Sequence, residues 1–226
     1  MIKFDNVAVH YGSNKSETTA LNGISFEIKE GEFVTIIGKS GCGKTTLLNV
    51  LGGITAPNEG HFYFQGKDVA NFNDKELSKY RNEKISFIVQ HFALIQNFDI
   101  MTNICLPLKY RRNKNIPKKS YIREVMEKLG IADYEYDYPY PLSGGEKQRV
   151  AICRSIISDT DIILADEPTG ALDEENSKNI VNLLMELHNS GKTIIMVTHD
   201  LELAKLGNHR LEIRDGKIIN EEFSSK

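Results

Sequence analysis

A chain of 226 residues with 40% hydrophobic content is long enough to bury a substantial core without disulfides or structural metals. Its 31 acidic residues against 28 Lys and Arg give a formal net charge of -3, so no overall basic field exists to hold a polyanion, and nucleic acid is excluded as an expected partner. Three cysteines (Cys42, Cys105 and Cys153) are an odd number without paired metal spacing and read as thiols in a reducing compartment.

In chain order, β-rich runs at Val7–His10, Ile24–Ile28 and Phe33–Ile37 predict three strands, and a helical pattern follows Gly43. Another strand is expected at Ile85–Val89. From about residue 90 to 160 no strand pattern stands out, and the helical periodicity at Ser120–Leu129 and Glu146–Ser158 predicts a helical subdomain inserted between two core strands. Strands at Ile162–Ala165 and Ile194–Val197 flank a helix over Glu174–His188, whose Ile180, Leu183, Leu184 and Leu187 form one apolar face suited to core packing. Asp215-Gly216 reads as a hairpin turn, and residues beyond Asn220 are expected to fray. The fold class is α/β: a P-loop NTPase core with a mainly parallel sheet, an antiparallel β edge and the helical insertion, within a single domain spanning 1–226.

The phosphate-binding segment is Gly38, Lys39, Ser40, Gly41, Cys42, Gly43, Lys44, Thr45, followed by Thr46; it matches G-x-x-x-x-G-K-[ST] between an apolar strand and a helix. Glycines let several N–H groups turn inward, the helix dipole favours an anion, and Lys44 adds a full charge for the β- and γ-phosphates. The Thr45 hydroxyl is a candidate Mg²⁺ ligand.

The apolar run Ile162–Ala165 ends in Asp166 and Glu167, at the end of a strand where a parallel sheet presents its functional edge. Asp166 is expected to hold the Mg²⁺ shell, and Glu167 to orient or deprotonate the attacking water. His199 follows the apolar strand near Thr193–Thr198 and is a candidate donor to the γ-phosphate.

Leu142-Ser143-Gly144-Gly145-Glu146 opens the helical run that follows it. Ser143 and Glu146 satisfy a capping box, but a cap does not account for two consecutive glycines, which weaken a helix and let its N–H groups approach an anion closely. With this segment lying between GKSGCGKT and ILADE, the chain resembles the ABC ATPase family over essentially its whole length. The resemblance implies ATP and Mg²⁺ as cofactors, ATP hydrolysis, and a head-to-tail dimer with a second, identical subunit whose Ser143, Gly144 and Gly145 close the opposite ATP site. It further implies that Tyr11 stacks on adenine, Gln90 senses Mg²⁺ and the partner, Asp173 is the D-loop aspartate, and His199 is the switch histidine.

Glu167–Asp173, the loop Gly12–Thr19 and Asn103–Leu108 look like the branch of macrolide exporters, lipoprotein-release ATPases and antimicrobial-peptide resistance ATPases, with the cell-division ATPase close by. That branch implies an integral membrane permease subunit, coupling through Asn103–Leu108, and export or mechanotransmission. A non-transport mechanical ABC ATPase is the alternative, but it usually carries a long coiled coil or two cassettes per chain. Cys42 and Cys153 stand where the family commonly has Ser and Ala. Lys109–Lys119 holds six basic residues that suit anionic lipid or an acidic partner loop, and equally a solvated surface. With no signal-peptide pattern and no apolar run near the ~18 residues needed to span a bilayer, the chain is expected to be cytoplasmic and peripheral on the inner face of the membrane.

Overall fold

The computed structural model describes residues 1–12, 17–89, 92–111, 116–170 and 172–224. Gln90 and part of the basic run, residues 112–115, therefore lie outside the described residues.

Two sheets organise the described residues. An antiparallel sheet contains β1 (Ile2–Tyr11), β2 (Thr18–Ile28), β4 (Glu59–Phe64) and β5 (Lys67–Asp68), in the order β2-β1-β4-β5. The second sheet has six strands: β3 (Phe33–Ile37), β6 (Ile85–Ile88), β7 (Ile162–Asp166), β8 (Thr193–Val197), β9 (His209–Arg214) and β10 (Lys217–Phe223), ordered β10-β9-β3-β8-β7-β6. All its pairs are parallel except the edge hairpin β9–β10. At its turn both Asp215 (φ 48°) and Gly216 (φ 73°) are left-handed, the conformation of a tight two-residue hairpin.

Both faces of the parallel sheet are covered, which explains why its strands read as unbroken apolar runs. Successive residues of one strand feed different cores. Val34, Ile36, Leu164, Ile195 and Val197 face the antiparallel sheet and α1 (Lys44–Leu51). Phe33, Ile163, Ala165, Ile194 and Met196 face the helices on the other side. Phe4 anchors the first core, its ring stacked on Phe26 at 4.7 Å and tilted against Phe62 at 4.8 Å.

The sequence pattern passes over α2 (Asp74–Glu83), because Tyr80 is its one buried residue and no apolar face repeats. Its start signal is local: an Asn73–Glu76 capping box. Between β6 and β7 the described residues form α3 (Ile100–Lys109), α4 (Lys119–Lys128), a short 3₁₀ turn at Ala132–Tyr134 and α5 (Gly144–Ile157). The segment Asn103–Leu108 is thus the body of α3, which accommodates Pro107 near its end. Helices α6 (Glu174–Asn189) and α7 (Leu201–Ala204) complete the chain. On α6, Ile180 and Leu184 are buried in the second core, with Leu183 and Leu187 packed against it.

The end of the chain does not fray after Asn220. β10 continues to Phe223 in register with β9, Glu221 bonds His209 Nε2 at 2.9 Å, and the Phe223 ring stacks on His209 at 4.3 Å. His209 is 1% exposed, and a second carboxylate, Glu32, lies 3.3 Å from its Nδ1. The polar run Asn220–Glu222 hides this anchor, since its partners, His209 and Arg210, lie on the neighbouring strand rather than within the run. Truncation after Asn220 is expected to cost about 1–2 kcal/mol, the scale of one cross-strand contact plus one hydrogen bond. For a chain of this size that lowers Tm by roughly 3–6 °C. Thermal unfolding checks this, with an unchanged Tm meaning that the C-terminal strand adds nothing.

Candidate functional site

Strand β8 lies between β3 and β7. All three run parallel, so the segments leaving their C-terminal ends gather at one edge of the sheet. From β3 the chain turns at Gly38 into α1; from β7 it ends in Asp166 and Glu167; beyond β8 it reaches His199.

The β3–α1 loop depends on glycine at two positions. A Cβ at Gly38 would sit 2.3 Å from the Ile213 carbonyl oxygen and 2.6 Å from the Cys42 sulfur. At Gly43, whose φ is 106°, it would sit 2.3 Å from the Ala20 carbonyl oxygen. Gly43 is also the N-cap of α1, which has neither a capping side chain nor an acid in its first turn. The first N–H groups of α1 and its positive dipole end are therefore left for an anion.

Lys44 is 7% exposed, and its Nζ donates to the carbonyls of Gly38 (2.7 Å) and Lys39 (2.8 Å). The cation is folded back along the loop that a phosphate would occupy. Thr45 Oγ1 donates to Asp166 Oδ2 at 3.1 Å, across 121 positions of sequence. His199 Nδ1 lies 3.0 Å from Glu167 Oε1. Glu167 has a φ of 47°, an unfavourable conformation for a residue with a side chain, of order 1–3 kcal/mol. It persists because the Glu167 N–H donates to the Val197 carbonyl at 3.0 Å and its carbonyl accepts from Gly170 at 3.1 Å.

These groups share one cavity of about 630 Å³. Its wall brings together Tyr11, Ser40, Gly41, Gly43, Lys44, Thr45, Thr46, Asp166, Glu167 and His199. Thr18, Thr19 and Ala20 also line it. Sequence reasoning missed them, although Tyr11 pairs with Thr18 across β1–β2 and so carries the opposing strand with it. Gly38, Lys39 and Cys42 line an adjoining cavity of about 490 Å³ on the other side of the loop, which His199 also borders.

Ser143, Gly144, Gly145 and Asp173 do not join this cavity. Ser143 caps α5, where its N–H and its hydroxyl each donate to Glu146 Oε2 at 2.7 Å. The Tyr134 hydroxyl donates to Glu146 Oε1, also at 2.7 Å, and with Ser143 it holds the Glu146 carboxyl below the usual range. Asp173 caps α6, and the Asn176 backbone N–H holds its carboxyl low. Burial raises the Cys153 thiol well above the ordinary range, leaving it a protonated core group, and Cys42 and Cys105 are free as well.

The oxygen donors at Thr45 and Asp166 suit a hard cation such as Mg²⁺, which takes a small number of protein oxygens and completes its shell with phosphates and water. Among the described residues no cluster of three or more His, Cys, Asp or Glu side chains forms a metal cage by itself.

Gly43→Ala is expected to weaken nucleotide binding about tenfold or more, since relieving the clash with Ala20 moves the first turn of α1, and 1.4 kcal/mol already corresponds to tenfold. Titration of the folded variant checks this; parent affinity would show that the cradle tolerates the Cβ.

The family model described as ABC transporter matches residues 21–170. The macrolide export ATP-binding/permease protein MacB of Hyphomonas neptunium is 40% identical over 98% of this chain, and the chain spans only 34% of that protein's length. The lipoprotein-releasing system ATP-binding protein LolD of Aquifex aeolicus is 42% identical, over 89% of this chain and 90% of that protein. A dimeric structure of the ATP-binding cassette MJ0796, in a post-hydrolysis state bound to ADP and Pi, superposes over the whole of both chains with a TM-score of 0.91 at 37% identity. The chain belongs to the ABC transporter family.

Proposed function

We propose that Glu167, set at the γ-phosphate end of the Lys44 cradle, makes this cavity an ATP-hydrolysing site. The chain binds and hydrolyses ATP as a subunit of an ABC transporter, works as a dimer, and serves a membrane permease. The observation that carries the assignment of roles is the convergence of Lys44, Thr45, Asp166, Glu167 and His199 on one cavity.

In this reading the α1 N–H groups and Lys44 hold the β- and γ-phosphates, with Lys44 exchanging its carbonyl partners for phosphate oxygens. Thr45 and Asp166 would hold Mg²⁺, which would supply positive charge against the charge developing on the phosphates. Glu167 accepts a hydrogen bond from the attacking water and aligns it on the γ-phosphorus; His199, already in contact with Glu167, donates to the γ-phosphate. Tyr11, at the mouth beside Thr18 and Thr19, offers a ring for the adenine.

Ser143, Gly144 and Gly145 lie outside the cavity of their own chain, which supports their acting on ATP held by the opposite subunit. Gln90 and Asp173 belong to the same reading: the first as a ligand near Mg²⁺, the second on the loop facing the partner. Residues from about 90 to 160 act as a helical subdomain that meets the permease. A groove of about 360 Å³ edged by Phe87, Leu106, Pro107 and Tyr110 supports a docking place there. No helix among the described residues is long and apolar enough to cross a membrane. The chain then works at the cytoplasmic face, held there by its permease.

Glu167→Gln is expected to keep ATP binding and ATP-dependent dimerisation while turnover falls by about 100-fold or more, the range of a lost general base. Steady-state hydrolysis and light scattering with ATP measure both, and near-parent turnover would remove Glu167 from its role.

Complementation tests the composite site. Lys44→Ala loses the charge on the phosphates, and Gly144→Asp places a carboxylate at the signature helix end; each alone should be inactive. Mixed, they form one heterodimer site with an intact cradle and an intact signature, so measurable activity should return. A mixture as inactive as its components, despite heterodimers detected by ATP-dependent crosslinking, would mean that each chain completes its own site.

A further inference from the structure

Gln148 lies on α5, five positions beyond Ser143, and is 1% exposed. Its Nε2 donates to the Pro168 carbonyl at 3.0 Å. A buried primary amide is unfavourable without a partner, and an aliphatic side chain of similar volume would fill the same place without that requirement. The bond therefore fixes something that packing alone would leave free.

Pro168 directly follows Glu167. The φ of 47° at Glu167 is one that its own side chain disfavours, and the proline after it restricts its backbone further. Two backbone bonds hold Glu167 from the sheet side and the turn side, to Val197 and from Gly170. The Gln148 bond holds the following peptide from a third side. The next residue of α5, Arg149, donates from Nη1 to Asn176 Oδ1 at 3.1 Å, and Asn176 in turn bonds both oxygens of Asp173. Adjacent side chains of one helix thus grip the 167–176 segment near each end.

We infer that Gln148 is a positioning residue that aims the Glu167 carboxylate from the helix whose first turn carries Ser143, Gly144 and Gly145. The inference rests on the reading of Glu167 as the water-orienting base. Its consequence is mechanical. Any displacement of α5 on engagement of its N-terminus by the opposite subunit's nucleotide reaches Pro168 through one short side chain, so the two sites of a dimer sense each other's occupancy at the base itself.

The test compares Gln148→Met, which keeps the volume and removes the donor, with the parent chain, each in the presence and absence of Glu167→Gln. Turnover in the Gln148→Met single variant is expected to fall about tenfold to 100-fold with the half-saturating ATP concentration within about twofold, because aim is lost and phosphate contacts are not. In the Glu167→Gln background the same substitution should leave the slow residual rate of ATP cleavage in a single turnover unchanged, since the group it aims is already gone. An equal fall in both backgrounds, or an effect confined to the half-saturating concentration, overturns the role of Gln148 while leaving Glu167 in place. A Glu167→Gln variant that turns over like the parent overturns the base reading itself, a different outcome. Should Gln148→Met fail to fold, Gln148→Leu, which also removes the donor and fills the place with a smaller aliphatic group, is put through the same comparison.

Discussion

The chemistry of this chain depends on β8 running between β3 and β7 with all three strands parallel. That arrangement brings Thr45 within hydrogen-bond distance of Asp166, although 121 positions separate them, and sets His199 against Glu167. Local sequence could not hold these groups together, since they follow three different strands: Thr45 after β3, Asp166 and Glu167 at the end of β7, and His199 after β8. The sheet can hold them because both its faces are buried: all five residues of β8 are inaccessible to solvent. Shifting β8 by one residue would exchange the residues feeding the two cores, so the register that places the cavity is the one packing requires.

How much of this was legible in the sequence varied with the range of the cause. The cradle was readable because glycine, lysine and threonine at fixed spacing carry local instructions: the positive φ at Gly43 and the uncapped start of α1 follow from residues within a few positions. The core strands were readable because two-sided burial writes an apolar run. β4 was missed because its burial alternates over only a few residues, Phe62 and Phe64 pointing inward between less buried neighbours. Helix α2 was missed because it is polar nearly all round, and β10 was cut short because its last residues are held by His209 through contacts between strands. The site's remaining wall, Thr18 to Ala20, was invisible for the same reason, as strand pairing alone brings it to Tyr11.

The starts of α1, α5 and α6 differ in a way that sorts their tasks. α1 begins on Gly43 with nothing to satisfy its N–H groups, while α6 begins on Asp173, whose carboxylate caps it and is bonded by Asn176. α5 is intermediate: Ser143 caps it through a side chain that can turn, and two glycines follow. A helix start satisfied by a fixed carboxylate, as in α6, has little left for an anion, whereas a hydroxyl cap can be given up to one.

On the role proposed for the start of α5, that exchange turns on Glu146. A carboxylate in the first turn of an anion-binding helix should repel a phosphate, yet this one is drawn back by the Ser143 N–H, the Ser143 hydroxyl and the Tyr134 hydroxyl, each at 2.7 Å. The Ser143 hydroxyl has one proton, spent here on Glu146, and on the proposed role that proton must be released toward the opposite subunit's phosphate. Tyr134 and the Ser143 N–H then still satisfy the carboxylate and keep it turned away. Without the tyrosine, release of Ser143 would leave Glu146 held by the Ser143 N–H alone, with Oε1 unpartnered and the carboxylate no longer fixed in the orientation that faces away from the helix start. The run Tyr134-Glu-Tyr-Asp-Tyr in the sequence shows only that alternate positions are aromatic. Which of them reaches back to the helix is decided by the short 3₁₀ turn that ends at Tyr134 and folds it over the start of α5.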